Sequence, residues 1–143
     1  MASFTFFQQF KEDLAKAVHN FTSDSTCTVT VFLTTHANIP SVSADAVLAD
    51  VTTIAYTNLS SRVITGVTCD HTTGTVAFTA NDLTLTASGG AVATFRHIGL
   101  YNDDPTSPAD PLIGWYDAGS DITLADGESV TLNFGANGFA TLA

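Results

Sequence analysis

Four histidines, two cysteines and fourteen acids give this chain its widest chemical range, and their spacing decides what they could do. His19, His36, His71 and His97 stand in four separate segments, with no H-x-x-x-H or H-x-H pair. Zinc takes His and Cys ligands at short, fixed separations, and neither Cys27 nor Cys69 has a second ligand nearby in sequence. Asp103, Asp104 and Asp110 form an oxygen-rich loop, the donor type that calcium prefers, but without the regular alternation of a dedicated calcium loop. They read as a solvated acidic loop. Glycoside hydrolysis needs two carboxylates across a cleft with perturbed pKa values, and nothing in the sequence marks such a pair. There is no G-x-S-x-G elbow to single out a serine nucleophile. Gly89–Gly90 and Gly135–Ala136–Asn137–Gly138 read as turns, not phosphate loops. Trp115 and Tyr116 could stack on a sugar. Adjacent strand residues point to opposite faces, however, so one is expected in the core and the other at an edge or interface. The expectation is a protein with no catalytic residues, no metal and no cofactor.

Composition points the same way. The chain has 143 residues, the usual size of one domain, and is 45% apolar but only 13% charged. Threonine, a β-branched residue suited to strands, fills many polar positions. So low a charged fraction suggests a surface partly covered by partners. The net charge is -10, and no Lys or Arg follows Arg96. Such a chain is not expected to bind nucleic acid or an anionic membrane. The start, Met1–Ala2–Ser3–Phe4, lacks the basic region of a signal peptide, and no apolar run is long enough to span a membrane. Cys27 and Cys69 are expected as two buried thiols, with a disulfide as the alternative.

The elements follow from periodicity. Phe7, Phe10, Leu14, Val18 and Phe21 recur at helical spacing, which predicts an amphipathic helix over about 5–21, with Thr5 and Gln8 as a capping box. Glu12 and Lys16 make a favourable i,i+4 pair. Strands are predicted at 27–33, 62–69, 75–80, 83–86, 92–101, 112–116, 129–134 and 139–142, with a short one at 122–124 and a short helical turn near 46–51. Turns are expected at 22–25, 70–74, 88–90, 117–121, 125–128 and 137–138. Many short strands, one helix and no βαβ rhythm predict one domain over 1–143. It is a mainly β, antiparallel sandwich or jelly-roll-like domain over about 26–143, behind the N-terminal helix.

Several segments together resemble a family of small tailed-bacteriophage structural proteins. They are the run from Phe7 to Asn20, Val47 to Ile54, Phe95 to Asp103, Pro111 to Tyr116, and Asp126 through Phe134. Cys27, Cys69, the loop around Pro40 and the longer loop from Asp104 to Asp110 depart from the family's pattern. The resemblance implies a non-enzymatic virion component, made in the host bacterial cytoplasm. Small size, an acidic outer face and the value of repeated symmetric contacts favour a capsid decoration, or cement, protein on the outer shell. Its partner would be the major capsid protein lattice, and it would self-associate, with a trimer favoured. A tail, collar or fibre-associated protein is the alternative. Contacts are expected from Phe7, Phe10, Leu14, Val18, Phe95, His97, Trp115 and Tyr116.

Overall fold

A computed structural model describes residues 3–21, 27–135 and 138–143. Along the chain run β1 (Thr5–Phe6), α1 (Gln8–Ala15), β2 (Val29–Thr34), a 3-10 turn (Leu48–Asp50), β3 (Thr68–Thr72), β4 (Thr75–Thr79) and β5 (Leu83–Thr86). β6 (Phe95–Asn102), β7 (Leu112–Ile122), β8 (Ser129–Leu132) and β9 (Ala140–Leu142) follow. Every strand pair is antiparallel. The main sheet has the order β1-β7-β6-β2, and two smaller sheets, β3-β4-β9 and β5-β8, form the opposing layer. The expected mainly β sandwich with a helix near its N-terminus is what the chain adopts.

Two neighbouring strands of the main sheet, β2 and β6, are buried on both faces. All six residues of β2 are buried, including Thr30 and Thr34, and so are all of β6 except Arg96. Val31, Leu100 and Gly114 stand side by side, with Phe6 next in register. On that face Phe6 meets Phe78 of β4, with ring centroids 5.9 Å apart. On the other face Phe32 lies beside Gly99 and Trp115, and Phe7 reaches it at 6.5 Å. One continuous apolar core results.

Loops close two of the sheet edges. Residues 54–64 run beside β2: Ile54 N–H donates to the Leu33 carbonyl (2.9 Å), Val31 N–H to Arg62 (2.9 Å) and Ile64 N–H to Val29 (2.8 Å). The Arg62 guanidinium lies 3.6 Å from the centre of the Tyr56 ring and also donates to the Val31 carbonyl. Residues 46–48 extend the start of β7, through Leu112 N–H to Ala46 (3.0 Å) and Leu48 N–H to Asp110 (2.9 Å).

Four expectations are corrected. The helix is eight residues long, not seventeen, because Thr5 and Phe6 pair with Trp115 and Gly114 instead. No Thr5 capping box forms. Phe7 takes the cap position without a side-chain cap, and the Gln8 N–H, an orphan donor of the first turn, bonds to the Val42 carbonyl (2.9 Å). Lys16 ends the helix, and Ala17 turns to φ +57°. Asp13, expected on the polar face, is buried and accepts a bond from Gln9 (2.9 Å). The Glu12–Lys16 ion pair is present. Second, residues 117–121 are not a turn but part of β7. Residues 118–121 lie opposite Arg96 alone, a bulge that Gly119 permits at φ +86°. Third, only residues from Thr68 onward form the strand predicted over 62–69, and Gly66 sits at φ +66°. Fourth, both cysteines are thiols, but Cys69 is exposed on β3. The predicted turn at 22–25, and Asn137 of the last turn, lie outside the described residues.

Candidate functional site

The open side of the sandwich is where this fold offers a surface to something else. β7 is flanked by β1 only at Gly114 and Trp115, so from Tyr116 onward its outer side carries no strand among the described residues. Among the described residues β8 pairs with β5 alone. Between them lies a groove of about 550 Å³, floored by Ile98, Tyr116, Ile122, Val130 and Leu132. The backbone phase of β8 follows from the ladder. Ala87 N–H donates to the Glu128 carbonyl (2.9 Å), so Val130 and Leu132 turn their peptide groups toward β5 and Thr131 turns its own outward. β5 obeys the same phase: the outward groups of Thr86 bond Ser60, at 2.9 and 3.0 Å, so that edge is covered. A smaller apolar groove, between Phe4, Phe6 and Phe139, lies beside β9, which among the described residues pairs only with β4.

Four carboxylates stand on the strands and turns that carry the larger groove, although none lines it. Asp117 and Asp121 stand on β7, and Asp126 and Glu128 lead into β8. Arg96 binds Asp117 through two bonds (2.8 and 3.2 Å), and Gly119 N–H donates to the same carboxylate (2.7 Å). Arg96 and then the Gly119 amide hold the Asp117 carboxyl down at about 2. The bidentate pair and the amide together pin the bulge. Asp126 accepts from Gly89 and Gly90, and Glu128 from Ala125, so both brace turns.

The buried polar groups are mostly ties within the fold. His97 Nδ1 lies 3.0 Å from the Thr34 hydroxyl, and the ring meets Trp115 edge-on at 5.2 Å. The buried Trp115 Nε1 has no hydrogen-bond partner. His19 stacks on Phe21 (5.6 Å), tilts against Phe10 (5.0 Å) and approaches the Asn102 amide at 3.4 Å. Burial pushes its pKa down to about 4, against an opposing pull from Asp13. Burial also pushes the Cys27 thiol up to about 12, which leaves almost no thiolate at neutral pH. Among the described residues no three His, Cys, Asp or Glu side chains are grouped to hold a metal ion. No helix among the described residues is long and apolar enough to cross a membrane.

The eight residues expected at an interface divide in half. Phe7, Phe10, Phe95 and His97 are core residues, at 0, 0, 0 and 2% exposure, and cannot touch a partner while the chain is folded. Their apolar periodicity marked burial within the chain. Leu14, Val18, Trp115 and Tyr116 are only partly buried, and Tyr116 lines the groove. The acidic loop is more tied than expected: Asp104 accepts the Thr28 N–H, and Asp103 N–H donates to the Thr28 carbonyl (2.8 Å). Sequence reasoning missed Ile122, Val130 and Thr131. Their alternation announces a strand, but whether that strand has a neighbour on each side depends on the tertiary fold.

Comparison with protein-family models, curated proteins and solved structures finds no match to this chain.

Proposed function

We propose that this chain is a non-enzymatic structural protein of a tailed-bacteriophage virion, and that it decorates the outer capsid shell. It binds the major capsid protein lattice there as a symmetric oligomer, a trimer, and stabilises the shell. The observation that carries this reading is the open side of the sandwich: strand edges without neighbours, set beside apolar grooves. Such edges suit lateral contacts. Repetition over a symmetric lattice turns contacts of a few kcal/mol each into collective resistance to internal pressure. The segments that resemble the phage family supply α1, the 3-10 turn, β6, the first half of β7 up to Tyr116, and β8, so the likeness runs through the framework. An acidic exterior suits a subunit that faces solvent and not packaged DNA.

Particles assembled without this protein are expected to lose their DNA at lower temperature, or at milder osmotic shock, than complete particles. Adding the purified chain back should restore the difference. Full stability without the protein, together with labelled chain found on the tail, would replace this reading by a tail role.

A further inference from the structure

A buried ring, His19, joins the segment behind α1 to the main sheet. In that segment the Lys16, Ala17 and Val18 N–H groups bond back to the Glu12, Leu14 and Asp13 carbonyls (3.0, 3.1 and 2.9 Å). Asn102, buried on β6, decides where the ring carries its proton. Its Oδ1 accepts the Asp104 N–H (3.2 Å), so the branch facing His19 is the amino group, a donor. His19 Nδ1, 3.4 Å away, is therefore the acceptor, and the ring's proton sits on Nε2. That N–H is buried with no hydrogen-bond partner among the described residues, and so is Asp13 Oδ2 on α1.

A second proton has one place to go, Nδ1, where it meets the Asn102 donor. Turning the amide over to present Oδ1 would strip the Asp104 N–H of its acceptor. The ring's other neighbours, Phe10 and Phe21, accept no conventional hydrogen bond. Among the charged groups of the packed elements, Asp13 pulls toward protonation and burial outweighs it. Asp104 commits its carboxylate to the Thr28 N–H. In water both ring nitrogens of a charged histidine can donate, so a proton favours the form in which the ring has left the sheet.

We propose that protonation of His19 unlatches residues 16–21 from β6 while the sheets stay folded, a local acid-sensitive release built into the N-terminal part of the chain. Release uncovers the rings of Phe10 and Phe78, on which Phe21 packs in the latched form (6.3 and 5.2 Å). The device belongs to the isolated chain and stands or falls apart from any place on a virion.

The full nitrogen-labelled chain tests it by NMR. At neutral pH the His19 ring should show a proton on Nε2 and none on Nδ1, and the opposite tautomer overturns the proposal. Protection against amide exchange is then compared at pH 6.5 and pH 5 for Val18 and for Gly99, which sits opposite Phe32 in the ladder of β6 with β2. Val18 should be the less protected at both, because its opening leaves the sheet intact. With the latched ring titrating at about 4 and the released ring at about 6.5, Val18 protection should fall about tenfold or more over this interval. His19→Gln should abolish that fall. Asn102→Asp gives the charged ring an acceptor, so acid should no longer loosen Val18. Should this variant fail to fold by circular dichroism, the parent chain and His19→Gln decide. One common protection level for Val18 and Gly99 overturns the proposal, because the opening is then that of the whole domain. The parent's fall persisting in His19→Gln, or in a folded Asn102→Asp, also overturns it.

Discussion

Gly99 stands on β6 where the Phe32 ring crosses it. A Cβ there would come within 2.1 Å of the ring's Cζ, and Phe32 is fully buried, so the ring has nowhere to move. Gly99→Ala should therefore cost about 1–3 kcal/mol by denaturant unfolding, the usual cost of overpacking. In a Phe32→Leu background the same change should cost clearly less, and a double-mutant cycle measures the coupling. Strictly additive costs would contradict this packing. His19 gives the fold its acid sensitivity. Its folded pKa, about 4, is below the ordinary 6.5, so between these values the unfolded chain binds a proton that the folded chain refuses. Stability therefore falls as pH drops from about 6.5 toward 4, by on the order of 3 kcal/mol in full, and this contribution levels off below. Asp117 adds a loss at lower pH, since its depressed carboxyl stabilises the fold above its unfolded pKa and ceases to do so as pH falls through about 2. Unfolding curves at pH 6.5 and pH 5 should differ for the parent chain and much less for His19→Gln. Equal slopes in both proteins would remove His19 from the account.

Among the elements, the legible ones were those whose local pattern and tertiary role agree. Leu83–Thr86 reads as a strand from alternation alone and is one, paired with β8. The Asp126–Gly127 turn is where its residue types put it, with Gly127 at φ +85°. The misreadings come where distant partners override local signals. Residues 117–121 carry turn composition, yet Arg96 from β6 captures Asp117 and holds the segment as a bulged strand. Thr5 and Phe6 fall within the predicted helix, but pairing with β7, and the packing of Phe6 against Phe78, draw them into the sheet. Burial of β2 on both faces was hidden because Thr30 and Thr34 look like solvent-facing positions. The acidic loop shows the same override. Asp104 accepts the Thr28 N–H ahead of β2, so Asp104→Ala should lower stability by roughly 1–2 kcal/mol, whereas Asp103→Ala should be close to neutral. Thermal melts of the two variants provide the check. Two neutral variants would return the loop to the tolerant role expected from its sequence.

At the scale of the whole molecule, one apolar core joins three sheets, and one side of the sandwich is left with open edges. Composition conveyed the first fact through its apolar strands. It could convey only a hint of the second, a low charged fraction, because edges exist only once strands have chosen their neighbours. Half of the expected contact residues proved to be core for the same reason: an apolar side chain is equally suited to its own interior and to a partner's surface. Tyr116 stays partly open because β7 runs on past β1 and leaves it beside the groove. The central claim is that this chain sits on a capsid shell as a repeated, symmetric cement. A side-chain-resolution map of the intact particle tests it most directly. The account predicts this fold on the outer shell at symmetric junctions of the major capsid protein, in trimers, with its open strand edges against neighbouring chains. Density for the chain confined to the tail or collar, or isolated monomers with those edges facing solvent, would contradict it.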